Sequence, residues 1–358
     1  MTRRTYLDWA RGVAVLIMIQ AHTLDAWTRA ASRKSEVFGY LALVGGFAAP
    51  MFLWLAGVAV TLAATRVARE KGSAAAAAAI CRRGLEIFIL AFLFRLQAFI
   101  VTPGSYPVTL FRVDILNVMG PAIAGAGILW GFSRSARGAA VSFAIAATAV
   151  AMLTPIVRTS PAIDVLPIWL QWYVRPAGDY TTFTLLPWAG FVLAGGACGA
   201  LIAVSSEERE RRLHVIFAAL GAALITVGYA ASTLPSIYRE SSFWSSSPTW
   251  FAMRLGILMA ALSVIYACAR AAESHGISGQ WLARFGRYSL LIYFVHVELV
   301  YGYATWPLRR RLPLPGTMIA FVLFTLLMYR VIGLREYLVR AWLTRFRHPF
   351  VDSAVLGK

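Results

Sequence analysis

The chain has 358 residues, 59% hydrophobic and 14% charged, with a mean hydropathy of +0.67. A soluble domain carries about 25% charged residues, so this chain cannot cover a water-exposed surface, and a soluble globular fold is excluded. The net charge of +18, from 34 Lys+Arg against 16 Asp+Glu, would suit nucleic acid in a soluble protein; here the basic residues cluster in short loops between apolar runs, and no nucleic-acid partner is expected.

The first apolar run, 7–27, follows Arg3 and Arg4 as a signal peptide would. It is too long for a signal-peptide core and no clear cleavage site follows, so it reads as a retained first helix. Further runs follow at 37–65, 80–101, 115–132, 138–156, 183–204, 213–232, 249–269, 287–304 and 316–334. The fold class is all-α: a polytopic integral membrane protein of about ten transmembrane helices. Residues 1–334 form one transmembrane domain and 335–358 a tail. The second run is long enough to tilt or to leave the bilayer. The Ala run 74–79 is helix former. The loop 156–183 is the longest, and its aromatics either form an interfacial belt or line a carbohydrate site. In the tail, Leu334, Leu338, Trp342 and Phe346 recur every four residues among Arg335, Arg340, Arg345 and Arg347, the pattern of an amphipathic helix on the inner membrane surface. Cys81, Cys198 and Cys268 lie in or beside separate apolar segments, with neither CxxC spacing nor a nearby His; no disulfide and no metal are expected. No internal repeat supports an inverted-repeat transporter.

With the N-terminus inside, the inner segments hold 20 Lys/Arg and the outer loops 10, which predicts both termini in the cytoplasm. The run RRRLP at 309–313 goes against that rule.

The first helix carries charges that hydrocarbon penalises by at least ~2.5–3.5 kcal/mol each near its centre. Arg11 and His22 are eleven residues apart, so they share one helix face, roughly 16 Å apart along the axis. Asp8 is placed to pair with Arg11, and Asp25 with His22. Gly12 permits close approach of a neighbouring helix or a ligand. Arg95, Asp114, Arg254, His296 and Glu298 fall in the outer halves of four other spans. Singly, each reads equally as a tie between helices, and Asp8–Arg11 as an interfacial anchor. Together they predict a wet chamber.

The stretch RRTYLDWARGVAVLIMIQAH resembles the opening helix of the membrane-bound acyltransferase superfamily, which joins acyltransferase-three proteins to heparan-α-glucosaminide N-acetyltransferase-like proteins. Arg11 and His22 fit the acyltransferase-three pattern of Arg, ten residues, His. APMFLWLAGVAVTLA (49–63) and DILNVMGPA (114–122) resemble segments of the heparan branch, and FGRYSLLIYFVH (285–296) the C-terminal Gly-x-x-Ser-Leu-x-x-Tyr-x-x-His motif. The heparan branch places a His in the loop after the first helix; loop 28–36 has none, so the catalytic assignment carried over is His22.

The resemblance implies an acyltransferase that takes an acetyl or similar acyl group from cytoplasmic acetyl-CoA (acyl-CoA) as co-substrate. The acceptor would be a hydroxyl or amine of a cell-envelope sugar or glycolipid, and the enzyme would sit in a bacterial inner membrane. In that scheme His22 is the base or acyl carrier, and Asp25 orients it. Arg95 or Arg254 faces the oxyanion. Arg11 (with Asp8), Arg66, Arg82 and Arg83 dock CoA phosphates, although Arg66, Arg82 and Arg83 read equally as ordinary inner-loop charges. Asp114, His296 and Glu298 bind substrate or shape the cavity. The rival classes are a transporter or flippase using the same buried charges without chemistry, and a membrane scaffold.

Overall fold

The computed structural model describes residues 4–101 and 106–346. Thirteen α-helices follow in chain order: α1 (Thr5–Trp27), α2 (Glu36–Gly45), α3 (Ala48–Lys71), α4 (Ser73–Val101), α5 (Ile115–Gly131), α6 (Ala136–Thr159), α7 (Ile168–Val174), α8 (Leu185–Ala203), α9 (Glu207–Ser232), α10 (Pro248–Ser274), α11 (Gln280–Arg287), α12 (Ser289–Tyr301) and α13 (Leu314–Phe346). Among the described residues the only β pairing is two isolated bridges, Thr28 with Leu312 and Val113 with Thr181.

Local chemistry sets the helix ends. Gly72, at φ 88°, adopts the left-handed conformation that reverses the chain from α3 into α4, and its N–H donates to the Ala68 carbonyl. Ser135 Oγ accepts from the Gly138 N–H to start α6, and Ser247 with Pro248 starts α10.

Seven segments are long and apolar enough to cross a membrane: 36–71 (α2 with α3), α4, α6, α8, α9, α10 and 314–344 of α13. The shorter α5 and α12 are about 25 Å and 20 Å long at 1.5 Å per residue, less than the ~30 Å hydrocarbon thickness. The expected run 37–65 is interrupted at Gly46–Phe47, and the run 287–304 breaks at Tyr288 between α11 and α12. The tail expected from 335 is not separate through 346, because α13 continues unbroken and leaves Leu334, Leu338 and Trp342 exposed along one face. Its Arg335 sits over the Tyr288 ring, and Glu336 pairs with Arg284 of α11 at 2.6 Å. Arg347 and the residues after it lie outside the described residues, as does Arg3.

α1 has the length of a membrane span but is too polar to rank among the seven, and other helices cover much of it. Fourteen of its residues are buried, Asp8, Gln20 and Thr23 among them, so these polar groups face protein rather than lipid. It packs against α3, α10, α11, α12 and α13. At its first half, Gly286 and Gly12 allow backbone contact with α11: a Cβ at Gly286 would lie 1.9 Å from the Asp8 carbonyl oxygen, and one at Gly12 2.2 Å from that of Leu282. By contrast, α9 and α13 leave broad apolar faces exposed, the faces a bilayer would cover.

Candidate active site

The second half of α1 brings His22 against α12. His22 Nδ1 and His296 Nε2 are 2.7 Å apart, the ring centres are 5.0 Å apart, and the rings are tilted by only 5°. The centre-to-centre distance equals the N···N distance plus the two ring radii. The rings therefore meet edge to edge in one plane along a linear hydrogen bond, not face to face. His296 is fully buried, and its Nδ1 lies 2.7 Å from the Ile292 carbonyl oxygen one turn back.

A carbonyl can only accept, so His296 Nδ1 carries a proton. For a neutral His296, Nε2 then has only a lone pair to offer, and His22 Nδ1 must donate to it. That leaves the lone pair of a neutral His22 on Nε2, which has no hydrogen-bond partner among the described residues.

The expected His22–Asp25 couple does not form. The Asp25 side chain is exposed; it accepts from the Tyr301 hydroxyl at 3.0 Å and lies 3.5 Å from Arg33 Nη1. Arg33 Nη2 also donates to the Asp25 carbonyl. Spacing of three residues makes contact possible, but Asp25 lies at the end of α1, where the next loop and α12 supply better partners. Asp25 remains near enough for its charge to act on His22, and the Tyr301 ring stands edge-on to His22 at 5.6 Å.

A second polar group lies beside the His pair. Arg95 of α4 donates to the Asp114 carboxylate at the start of α5, and to the Thr109 carbonyl at 3.2 Å. Asp114 also accepts from Thr182 at 2.8 Å and lies 3.7 Å from Arg112 Nε. The short bridge of Val113 with Thr181 pins this loop, with Val113 N–H donating to Tyr180 and Thr182 N–H to Val113. The half-buried Tyr293 joins the two groups. Its ring is 6.1 Å from His296 and 5.1 Å from Phe94, and it lies within electrostatic reach of Asp114, Arg95 and Glu298. Asp114 is also within reach of His22.

The structure thus brings together His22, Asp25, Arg95, Asp114, His296 and Glu298. Arg254 stands on another wall: it donates to the Gly46 carbonyl freed by the α2–α3 break and lies over the rings of Phe47 at 4.9 Å and Trp250 at 4.5 Å. Asp8 and Arg11 do pair, at 3.4 Å, but at the far end of α1 beside α11. Arg82 and Arg83 are exposed on α4 and pair with Glu86; Arg66 is exposed on α3. Of the aromatics in loop 156–183, Trp172 is buried and stacked on Tyr180 at 4.7 Å, whereas Trp169 is exposed.

Tyr301 is the site residue that sequence reasoning passed over, and Tyr293 entered it only as the Tyr of the C-terminal motif. Their spacing from His296, three before and five after on one short helix, was the available signal. A buried network at the opposite end was also not anticipated. There Arg4 and the Tyr6 hydroxyl bind Glu210 at 2.9 Å and 2.6 Å, and His214 stacks on Tyr266 at 4.0 Å.

The fold and site define a polytopic helical membrane protein with a hydrogen-bonded histidine pair beside a largely buried Arg–Asp ion pair. The catalytic-domain family of heparan-alpha-glucosaminide N-acetyltransferase matches residues 3–238, and the chain belongs to that family, whose activity is acetyl transfer. That match holds His22, Asp25, Arg95 and Asp114; His296, Glu298 and Tyr301 lie beyond it. A comparison with curated proteins gives no match.

Proposed function

We propose that this protein transfers an acetyl group from acetyl-CoA to a hydroxyl or amine of a cell-envelope sugar or glycolipid, with His22 Nε2 as the base. The observation that carries the reading is the linear His22–His296 hydrogen bond, anchored on the Ile292 carbonyl. It leaves one imidazole lone pair directed away from the pair, beside the Asp25–Tyr301 couple.

In the proposed reaction His22 Nε2 removes the acceptor proton as the acceptor oxygen or nitrogen attacks the thioester carbonyl. The tetrahedral intermediate collapses with cleavage of the C–S bond, and the proton on His22 passes to the departing CoA sulfur. His296 is a positioning residue that holds the ring of His22 and shares its gain of charge. Arg95, oriented by Asp114, is the preferred oxyanion group, because it shares the surroundings of Tyr293 with His296, whereas Arg254 is engaged by the Gly46 carbonyl and two aromatic faces. The donor enters from the Asp8–Arg11 end, with Arg82 and Arg83 as outlying phosphate contacts, and its acyl-pantetheine arm runs along α1 to His22. The excess of basic residues in the 1–6, 66–83 and 205–212 segments supports placing that end in the cytoplasm of a bacterial inner membrane.

The test is release of CoA from labelled acetyl-CoA by the protein in liposomes with sugar acceptors. Turnover by the wild type and its loss in a folded His22→Ala variant are expected. If acetyl-CoA is not consumed with any acceptor, while the protein moves a labelled solute across the bilayer, the protein is a transporter.

A further inference from the structure

The polypeptide between α6 and α8 reaches the start of α5 at two points. Val113 N–H donates to the Tyr180 carbonyl and Thr182 N–H to the Val113 carbonyl, both at 2.9 Å. This short pairing sets the hydroxyl of the exposed Thr182 against Asp114. The second point is the buried Asn117, whose side-chain carbonyl accepts from Asp114 N–H at 3.1 Å and whose amide donates to the Tyr173 hydroxyl of α7 at 3.4 Å.

The direction of each hydrogen bond at Thr182 is fixed. Arg112 Nη2 and Nε lie 2.8 Å and 3.2 Å from the hydroxyl oxygen, and a guanidinium can only donate. The oxygen therefore accepts from Arg112, and its one proton goes to Asp114 Oδ1 at 2.8 Å. Asp114 Oδ2 is left for Arg95 Nη1. The capping box with Asn117 anchors the carboxylate at the start of α5, while Thr182 and Arg95 divide its two oxygens. Holding one oxygen sets the plane of the carboxylate, and with it the direction in which the other meets the guanidinium. Arg95 is tethered in addition by Nε, which donates to the Thr109 carbonyl at 3.2 Å.

We propose that Thr182 is a positioning residue for acyl transfer. Its hydroxyl sets the Asp114 carboxylate, and through it the Arg95 guanidinium that faces the oxyanion. A loop on the outer side, where an acceptor from the cell envelope would arrive, is thereby connected to the group that meets the transition state. The assignment rests on the acyltransferase reading with Arg95 at the oxyanion.

The test compares Thr182→Val, which removes the hydroxyl at nearly constant shape, with Thr182→Ser, which keeps it. The full chain is assayed in liposomes with acetyl-CoA and sugar acceptors. Thr182→Val is expected to lower kcat about tenfold, the effect of losing a charge-assisted hydrogen bond, at unchanged KM for acetyl-CoA; Thr182→Ser should keep most of the activity. In an Arg95→Lys background, where the planar guanidinium fork is absent, Thr182→Val should lower kcat little further. An unchanged kcat in Thr182→Val, an equal fall in Thr182→Ser, or an equal fall in the Arg95→Lys background overturns the proposal.

A second readout needs no turnover. It is hydrogen exchange of the Arg95 Nε–H in nanodiscs, with isotope-labelled arginine and the signal assigned by its absence in Arg95→Lys. Exchange should quicken about tenfold in Thr182→Val and stay unchanged in Thr182→Ser. Unchanged exchange in Thr182→Val also overturns the proposal. If exchange responds as expected but acetyl-CoA is never consumed, Thr182 still positions Arg95 and the acyltransferase reading fails.

Discussion

His22 and His296 meet edge to edge at 2.7 Å although 274 residues separate them in the chain. Because the Ile292 carbonyl fixes the tautomer of His296, the identity of the atom at position 296 that accepts from His22 should matter more than its charge. His22→Ala is expected to lower kcat by about 10²–10⁴-fold, the range for a lost general base. His296→Leu removes the acceptor and should approach that loss. His296→Gln, whose side-chain carbonyl can accept from His22 Nδ1, should recover a large part of it. Equal activity of the Leu and Gln variants in steady-state kinetics contradicts the positioning role.

Arg95 and Asp114 form an ion pair in which both side chains are largely buried. Removing one partner strands the other, at a cost of about 3–5 kcal/mol for buried pairs. Arg95→Met and Asp114→Leu are each expected to lower the Tm sharply, and the double variant to recover part of the fall. A double-mutant cycle on thermal unfolding in detergent gives the coupling; simple additivity of the two losses rules out the pair as a unit.

Gly286 sits where a Cβ would come within 1.9 Å of the Asp8 carbonyl oxygen, a backbone atom that no rotamer change can move. Gly286→Ala is expected to destabilise by about 1–3 kcal/mol and to displace α11 from the Asp8–Arg11 end of α1. Gly125→Ala, in α5 with nothing within 4 Å of its Cβ position, is the control and should be neutral or slightly stabilising. A parallel fall of Tm in both variants would show that the effect is not the close approach.

Arg82 and Arg83 are exposed, and such ion pairs contribute about 0–1 kcal/mol. Arg82→Ala with Arg83→Ala should leave the Tm unchanged. A donor-docking role predicts a several-fold rise in KM for acetyl-CoA at constant kcat; an unchanged KM assigns them to the solvated surface of α4.

Helical periodicity was enough to read the polar stripe of α1 and the Asp8–Arg11 pair, since both depend on spacing within one element. The His22–Asp25 couple failed because local spacing sets only which contacts are within reach. His296 offered His22 a linear, part-buried hydrogen bond, while Tyr301 and Arg33 took Asp25. Matching depth put Arg95, Asp114, His296 and Arg254 in one layer, yet depth does not say which way a helix is turned. Arg254 faces the carbonyl exposed at Gly46, a break hidden inside an uninterrupted apolar run. The break at Tyr288 was hidden in the same way, because hydropathy is blind to backbone direction. The misplaced basic run at 309–313 was legible as an anomaly; the backbone hydrogen bonds that tie Arg310 and Leu312 to the end of α1 were not.

The packing of C-terminal helices onto α1 has a consequence for how the protein is made. Synthesised before the helices that cover it, α1 is too polar to rank with the seven spanning segments, and much of its buried surface is covered by α10 to α13. At ~5–20 residues per second, the ~250 residues between α1 and α11 take roughly 13–50 s to synthesise. During that interval Asp8, Arg11 and His22 lack their final neighbours. The nascent chain must then be held by the insertion machinery, or by α2 and α3 alone, until the C-terminal helices arrive. A chain stopped after residue 238, before α10, should leave α1 poorly inserted and open to rapid degradation, even though every residue of the matched family domain has been made.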